Sequence, residues 1–320
     1  MQRTLIVYES KYGATEQIAK IFAKILGPAQ YIRPNQFNRK YDDIDLIVIA
    51  SPVYREELHQ NIRNFISEQK DWLKKRIVAL LSVSLSIKSG SNALKPLKNL
   101  LEDCVIWSGS TNGRLMIDQL TENDKKSIQM FYKRVGIPLQ NRDKFSLNDV
   151  VNKAYCIKEL RDKRIKVLPD EKLLTEIEKF IKSHNTCALA TGYDDKIRCT
   201  PIEYLYLTGM FYIISEGGEK FANIMLNKNV SLSIFDPYSG MNNLGGMQIS
   251  GKAFLIEEGS KEYEKIFKYK GISTEKINER RFSLNLIKII PEKVEFLSSN
   301  FTSKGYPTKQ IFTFKKIEAG

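Results

Sequence analysis

Apolar positions in the first half of the chain fall into short unbroken runs separated by stretches at helical spacing. Leu5-Ile6-Val7-Tyr8 reads as a buried strand, and Ile18, Ala19, Phe22, Ala23 and Ile25 lie on one side of the helix that follows. Gln30-Tyr31-Ile32 comes next, then the strong run Leu46 to Ala50, a loop at Ser51 to Arg55, and a helical stripe of Leu58, Ile62, Phe65 and Ile66. Ile77 to Val83 forms a fourth strand pattern and Leu94, Leu97, Leu100 and Leu101 another helical stripe. Val105 to Trp107 is a fifth strand ahead of a loop at Gly109 to Gly113, and helical patterns near Asp124 to Arg134 and Leu147 to Lys163 close this half. Such alternation predicts an α/β fold with a doubly wound, five-stranded parallel sheet, because strands apolar along their whole length need helices on both faces. The loops then converge at the carboxyl ends of the strands, where sheets of this kind bind ligands.

The pattern changes after Lys158 to Asp170, a charge-dense stretch ending in Pro169-Asp170, which predicts one domain over residues 1–165 and a second over 166–320. A helical stripe of Leu173, Leu174, Ile177, Phe180 and Ile181 opens the second part. Thr186 to Gly192, Ile197 to Tyr206 and Met210 to Ser215 then read as an antiparallel meander, with turns at Tyr193 to Asp195 and Thr208-Gly209. A short helix from Glu219 to Asn227, a strand from Val230 to Phe235, a glycine-rich loop from Ser239 to Met247 and a long strand from Gln248 to Glu257 precede one more helix and two or three strands. A mainly antiparallel β barrel with a few helices fits this order.

Composition agrees with two folded domains: 320 residues with 42% hydrophobic side chains can fill two cores. No apolar run reaches bilayer length and the N-terminus lacks a secretory pattern, so a cytoplasmic protein is expected. Cys104, Cys156, Cys187 and Cys199 are scattered, and His59 and His184 are the only histidines, so no metal site is expected. The net charge of +13 is uneven: up to Ile165 there are 28 Lys and Arg against 18 Asp and Glu. A basic first half suits an acidic protein partner or an anionic membrane surface, and part of it is simply solvated. Nucleic acid is not an expected partner, since no finger, RRM or KH signature accompanies the lysines.

The stretch that carries chemistry is Ser10, Lys11, Tyr12, Gly13, Ala14 and Thr15, between the first strand and its helix. Two hydroxyls, a glycine for the turn and the free N–H groups of a helix start make a phosphate cradle; the same residues also suit an ordinary connection with Thr15 as helix cap. With the aromatic-bearing loop after the third strand, this pattern resembles a flavodoxin over about residues 2 to 165. The extension between the fifth strand and the last helix is similar to the flavodoxin-type, quinone-dependent protoporphyrinogen oxidases. The resemblance implies that Ser10 to Thr15 hold an FMN phosphate. It makes Ser51, Pro52, Val53 and Tyr54 one wall for the flavin ring, and Ser82, Val83, Ser84 and Leu85 the loop at its other edge. Flavodoxins are typically acidic, whereas this half is basic, which argues against an ordinary free-standing electron carrier and for an acidic redox partner or a quinone at a membrane surface.

In the second half, Arg198-Cys199-Thr200-Pro201, Ser215 with Lys220, and Gln248 to Gly251 are similar to the FMN-binding split barrels that include pyridoxamine 5′-phosphate oxidase. An Arg fork, a Lys point charge and hydroxyls hold a phosphate dianion well, so Arg198, Lys220, Thr200 and Ser215 are the candidates. The family places its flavin between two barrels, which implies a homodimer with Gln248 reaching the partner's cofactor. Authentic pyridoxamine phosphate oxidases carry an Arg and His pair near the C-terminus. Here no histidine follows His184 and no arginine follows Arg281, so vitamin oxidation is not expected. No Ser/His/Asp arrangement, paired-carboxylate site or Walker loop occurs, and no catalytic acid or base can be assigned.

The two resemblances together imply an FMN-dependent oxidoreductase or electron-transfer flavoprotein. It would hold two FMN per chain and relay electrons between a reduced donor, with NADH or NADPH as candidates, and an acceptor. A quinone-dependent protoporphyrinogen oxidase-like enzyme, or a non-enzymatic flavin- or haem-binding protein, are the alternative readings.

Overall fold

The computed structural model describes residues 3–272 and 283–315, so Arg281 lies outside the described residues. The chain divides into two compact units, Met1–Arg164 and Ile165–Gly320.

The first unit runs β1 (Thr4–Tyr8), α1 (Ala14–Ile25), β2 (Ala29–Ile32), β3 (Leu46–Tyr54), β4 (Glu57–Leu58), α2 (Gln60–Glu68), α3 (Lys70–Leu73), β5 (Ile77–Ser84), α4 (Ile87–Leu101) and β6 (Val105–Asn112). The extension then contributes β7 (Arg114–Leu115), α5 (Glu122–Arg134) and β8 (Arg142–Asp143), before α6 (Leu147–Asp162) returns to the sheet. Five parallel strands lie in the order β2-β1-β3-β5-β6, with β4 folded back antiparallel on β3. Alternate residues of each central strand enter different cores. Ile6, Val48 and Leu81 pack with Ile18 and Phe22 of α1 and Val150 and Ile157 of α6. Leu5, Val7, Ile47, Ile49 and Leu80 pack with Ile62 and Phe65 of α2 and Leu94 and Leu97 of α4. Burial on both faces is why these strands read as unbroken apolar runs.

Two strands, β3 and β6, outrun their expected ends, while β5 ends at Ser84 as its apolar run leads one to expect. β3 continues through Ser51-Pro52-Val53 to Tyr54 and turns at Arg55 and Glu56, both with positive φ, into β4. β5 includes Ser82, Val83 and Ser84, and β6 continues to Asn112. Each continuation is hydrogen-bonded to a neighbour, as in the pairs Ser82–Ser110 and Ser84–Asn112. Small polar residues that look like loop in sequence are thus held in the ladder. At the opposite end of this unit, Arg161 of α6 is buried and donates to the Leu26 carbonyl (2.6 Å) and Thr4 Oγ1 (3.1 Å), closing the C-terminus of α1.

The second unit runs α7 (Asp170–Lys182), β9 (Thr186–Tyr193), β10 (Lys196–Glu203), β11 (Leu205–Leu207), β12 (Met210–Ser215), α8 (Glu219–Leu226), β13 (Asn229–Phe235), β14 (Gly245–Ile256), α9 (Lys261–Tyr269), β15 (Asn285–Ser298), α10 (Asn300–Ser303) and β16 (Lys309–Thr313). The strand order is β10-β9-β13-β14-β15-β12-β11, with β16 also on β15: an eight-stranded antiparallel, half-barrel sheet. β10 and β11, adjacent in sequence, sit at opposite edges of that path. The meander expected from Thr186 to Ser215 is therefore broken at Tyr204, whose buried hydroxyl donates to the Ile181 carbonyl at 2.6 Å. Inward residues such as Leu189, Leu232, Ile249, Ile289 and Phe211 pack with Leu173, Ile177 and Ile181 of α7.

Candidate functional site

At the carboxyl end of β1 the chain turns through Ser10 to Gly13 into α1. Gly13 has φ +83° and is the helix N-cap; among the described residues no side chain caps this terminus. Thr15 lies inside the helix and is buried, so it is not the cap that one reading of the sequence allowed. Ser10 Oγ accepts the Gly13 N–H at 3.0 Å and fixes the turn. The first-turn N–H groups of α1 are left for an anion.

The loop is braced by residues far away in sequence. Beneath it Glu9 is buried; its carboxylate accepts from Ser10 N–H (3.0 Å), Asn61 Nδ2 (2.9 Å) and the Arg33 guanidinium, so its charge is met before any anion arrives. Above it Asp124, in the first turn of α5, accepts from both Lys11 Nζ and the Tyr12 hydroxyl. The hydrogen bond from Lys11, then that from Tyr12, hold the Asp124 carboxyl below the ordinary carboxylate range, and Lys11 is raised in return.

Tyr54 is 39% exposed, yet burial pushes its pKa up to about 12, with a hydrogen bond from the Lys11 amide opposing the shift. Its ring stands edge-on to Tyr12 at 6.5 Å. The turn that carries Tyr54 is tied by Ser51, whose Oγ donates to the Pro52 carbonyl and accepts the His59 N–H, both at 2.9 Å. Ser51 is thereby consumed inside the hairpin, while Val53 packs against the core. On the other side, Ser82, Ser84 and Ser110 crowd Gly90 of α4: a Cβ there would run into all three hydroxyls. Ser82 thus belongs to the packing between sheet and helix, and Val83 to the core. Of that segment, the Ser84 carbonyl (which accepts Gly113 N–H at 2.9 Å) and Leu85 lie nearest the strand end. Beside them Asn112 Oδ1 is buried with no partner among the described residues, an orphan acceptor of the kind a ligand donor satisfies. A hollow of about 380 Å³ between the Glu56–Leu58 turn and α4 does not include the phosphate loop.

In the second unit β12 ends at Ser215, and Gly217 and Gly218, both with positive φ, turn the chain into α8. Lys220 is buried and donates to the Gly217 carbonyl. Burial first, and the nearby Arg198 guanidinium second, push its ammonium below the ordinary lysine range. Arg198 itself donates to Glu219 at 2.7 Å. Thr200 Oγ1 is buried without a partner among the described residues, and Asn223 Nδ2 donates to Thr191 Oγ1 at 3.1 Å alongside. Two facing cations, an orphan hydroxyl and a helix start fit a phosphate dianion.

The remaining candidates lie elsewhere. Arg198 and Thr200 pair with the inward residues Thr191 and Leu189, whereas Cys199 and Pro201 alternate to the outer face. Gln248 is on that outer face too, across β13 from Ala188 and beside Glu295. The structure therefore brings Arg198, Thr200, Ser215 and Lys220 to one place and leaves Cys199, Pro201 and Gln248 on the other side of the sheet.

Comparison with known proteins matches the two halves of the chain to different families. A family model described as a flavodoxin domain matches residues 5–137. One described as pyridoxamine 5′-phosphate oxidase matches residues 173–298. Among solved structures, the chain is similar to HutZ, the haem storage protein from Vibrio cholerae, with 16% identity over 37% of this chain and 89% of that chain and a TM-score of 0.32. It is similar to an FAD-binding protein from Mesorhizobium loti (17%, 41% and 95%, TM-score 0.32). It is also similar to ChuZ from Campylobacter jejuni (17%, 54% and 72%, TM-score 0.36). No match is found among curated proteins.

Proposed function

We propose that this chain, which joins a flavodoxin domain to a pyridoxamine 5′-phosphate oxidase-like domain, is an FMN-dependent oxidoreductase with one flavin site in each unit. The observation that carries the reading is the pair of anion cradles at helix starts, Gly13 before α1 and Gly218 before α8, each beside a buried acceptor or hydroxyl that has no partner among the described residues. Bound flavin would supply exchange between two-electron and one-electron chemistry, and so a relay between a reduced donor and an acceptor.

The chain's own residues bind and orient. In the first unit Ser10 shapes the loop, the α1 amides hold the phosphate, Tyr54 covers one side and Asn112 Oδ1 offers an acceptor to a ring N–H. In the second, Lys220 and Arg198 neutralise the phosphate, with Thr200 and Ser215 donating hydroxyls. The outer face of the second sheet carries the small side chains Ala188, Ala190, Ser231 and Ser233 in register beside Gln248, and we assign the homodimer to it.

The test is flavin content and spectrum of the full chain. About two FMN released per chain supports the reading; a value near one removes the relay, and a Soret band without flavin bands replaces it with a haem-binding protein. Anaerobic mixing with NADH, NADPH or reduced ferredoxin then identifies the donor by loss of flavin absorbance. Light scattering at the mass of a single 36.9 kDa chain would remove the dimer.

A further inference from the structure

We infer that the outer side of α5 and the turn following it form a docking surface for an anionic lipid bilayer. Four large apolar side chains are exposed on this one segment: Met130 (68%), Phe131 (49%), Val135 and Ile137. They are not scattered, and such a cluster on a soluble surface marks an interaction site. Around them the charge is one-sided. Between residues 125 and 144 the sequence has six Lys and Arg (Lys125, Lys126, Lys133, Arg134, Arg142 and Lys144) against a single acid, Asp143. At helical spacing Lys126, Met130, Lys133 and Arg134 share one side of α5, and all four are exposed, while Tyr132 is turned inward and buried.

The face is presented by a fixed element. Arg142 from β8 stacks over the Tyr132 ring at 5.3 Å, β7 and β8 pair beneath, and the start of α5 is held to the phosphate loop through Asp124 with Lys11 and Tyr12. A short helix with cations interleaved among apolar side chains suits a membrane interface: headgroup phosphates meet the Lys and Arg, and the acyl boundary takes up Met130, Phe131, Val135 and Ile137. An acidic protein would satisfy the cations but would need its own apolar hollow for those four. Among the described residues no helix is long and apolar enough to cross a membrane, so the contact is with the surface. The inference does not rest on flavin binding in either unit.

The test is flotation of the full chain with vesicles of phosphatidylcholine, with and without phosphatidylglycerol, at low and high salt. Binding is expected only with phosphatidylglycerol and should weaken with salt. Each cation at an anionic surface contributes about fivefold, so Lys133→Glu with Arg134→Glu should weaken binding about 25-fold or more. Met130→Ser with Phe131→Ser should weaken it about tenfold. All four residues are exposed, so unchanged thermal unfolding of both variants shows that the fold is kept. Absence of binding to anionic vesicles overturns the inference. So does a serine variant that binds like the parent while the charge-reversed one does not, since charge alone is what an acidic protein would read.

Discussion

The Ser10–Thr15 loop and the cradle around Lys220 both offer donors to a phosphate, but they stand in opposite electrostatic states. In the first, each nearby cation already has a carboxylate: Lys11 has Asp124 and Arg33 has Glu9. What is left for an anion is backbone N–H at a helix start. In the second, Lys220 and Arg198 face each other, and Glu219, itself largely exposed, is the one acid bonded to either among the described residues. An anion arriving there relieves a repulsion. One cradle is therefore held ready by geometry, and the other is completed by its ligand.

Lys220→Met probes this contrast most strongly. Phosphate or FMN affinity of the second unit should fall about 10- to 100-fold, since a charge-assisted hydrogen bond contributes about 1.5–3 kcal/mol. The ligand-free unit should melt higher, because a desolvated, repelled cation is gone. Titration calorimetry and thermal melts read both; an affinity unchanged by the substitution would show that this cradle is unused. The same lysine sets a pH signature. Its folded pKa lies below its unfolded one of about 10.4, so the folded state binds fewer protons, and ligand-free stability should rise with pH through the lowered value up to about 10.4. Lys220→Met should abolish that rise.

Gly13→Ala addresses the first cradle through its backbone. With φ at +83° an L residue is strained there by about 1–2 kcal/mol, although nothing lies within 4 Å of the added Cβ. Denaturant unfolding of the first unit should show that loss, with ligand affinity weakened at least as much if the turn relaxes to avoid it. A loss in stability alone would mean that the backbone amides are not the anion's donors.

Asp124→Asn is the finest probe. It frees Lys11 for the anion, so phosphate affinity of the first unit should rise a few-fold, while stability falls by less than about 1 kcal/mol because the pair is part-exposed. The carboxyl is depressed, so its contribution is complete above about pH 4 and disappears as pH falls through the lowered folded value. A pH-independent difference between variant and parent would separate Asp124 from the loop's charge balance.

Much of this was readable from residues alone. Both sheets follow from local pattern: unbroken runs such as Leu46–Ala50 need cover on two faces, and the strand-rich order after Pro169 needs an antiparallel sheet. Period-two alternation at Arg198-Cys199-Thr200-Pro201 was also available to separate the two faces, and treating the four as one motif overlooked it. Asp124, Glu9 with Arg33 and Asn61, and Asn223 with Thr191 carried no signal. Their neighbours in sequence say nothing about a partner tens of residues away, or for Asp124 more than a hundred, nor about which strand end a helix will meet.

The amino-acid sequence by itself determined which segments become strands and helices, where the glycine turn into the first helix lies, and that two different architectures share one chain, because periodicity, turn residues and helix starts are local properties. Tertiary structure alone decided that Lys11 has a carboxylate partner while Lys220 bonds a backbone carbonyl beside another cation, that Ser51 is tied within its hairpin and Ser82 packed against α4, and that Gln248 and Arg198 occupy different faces of one sheet. Those outcomes depend on which distant groups are brought within hydrogen-bonding distance. Strand order and register set that, and no local pattern encodes it.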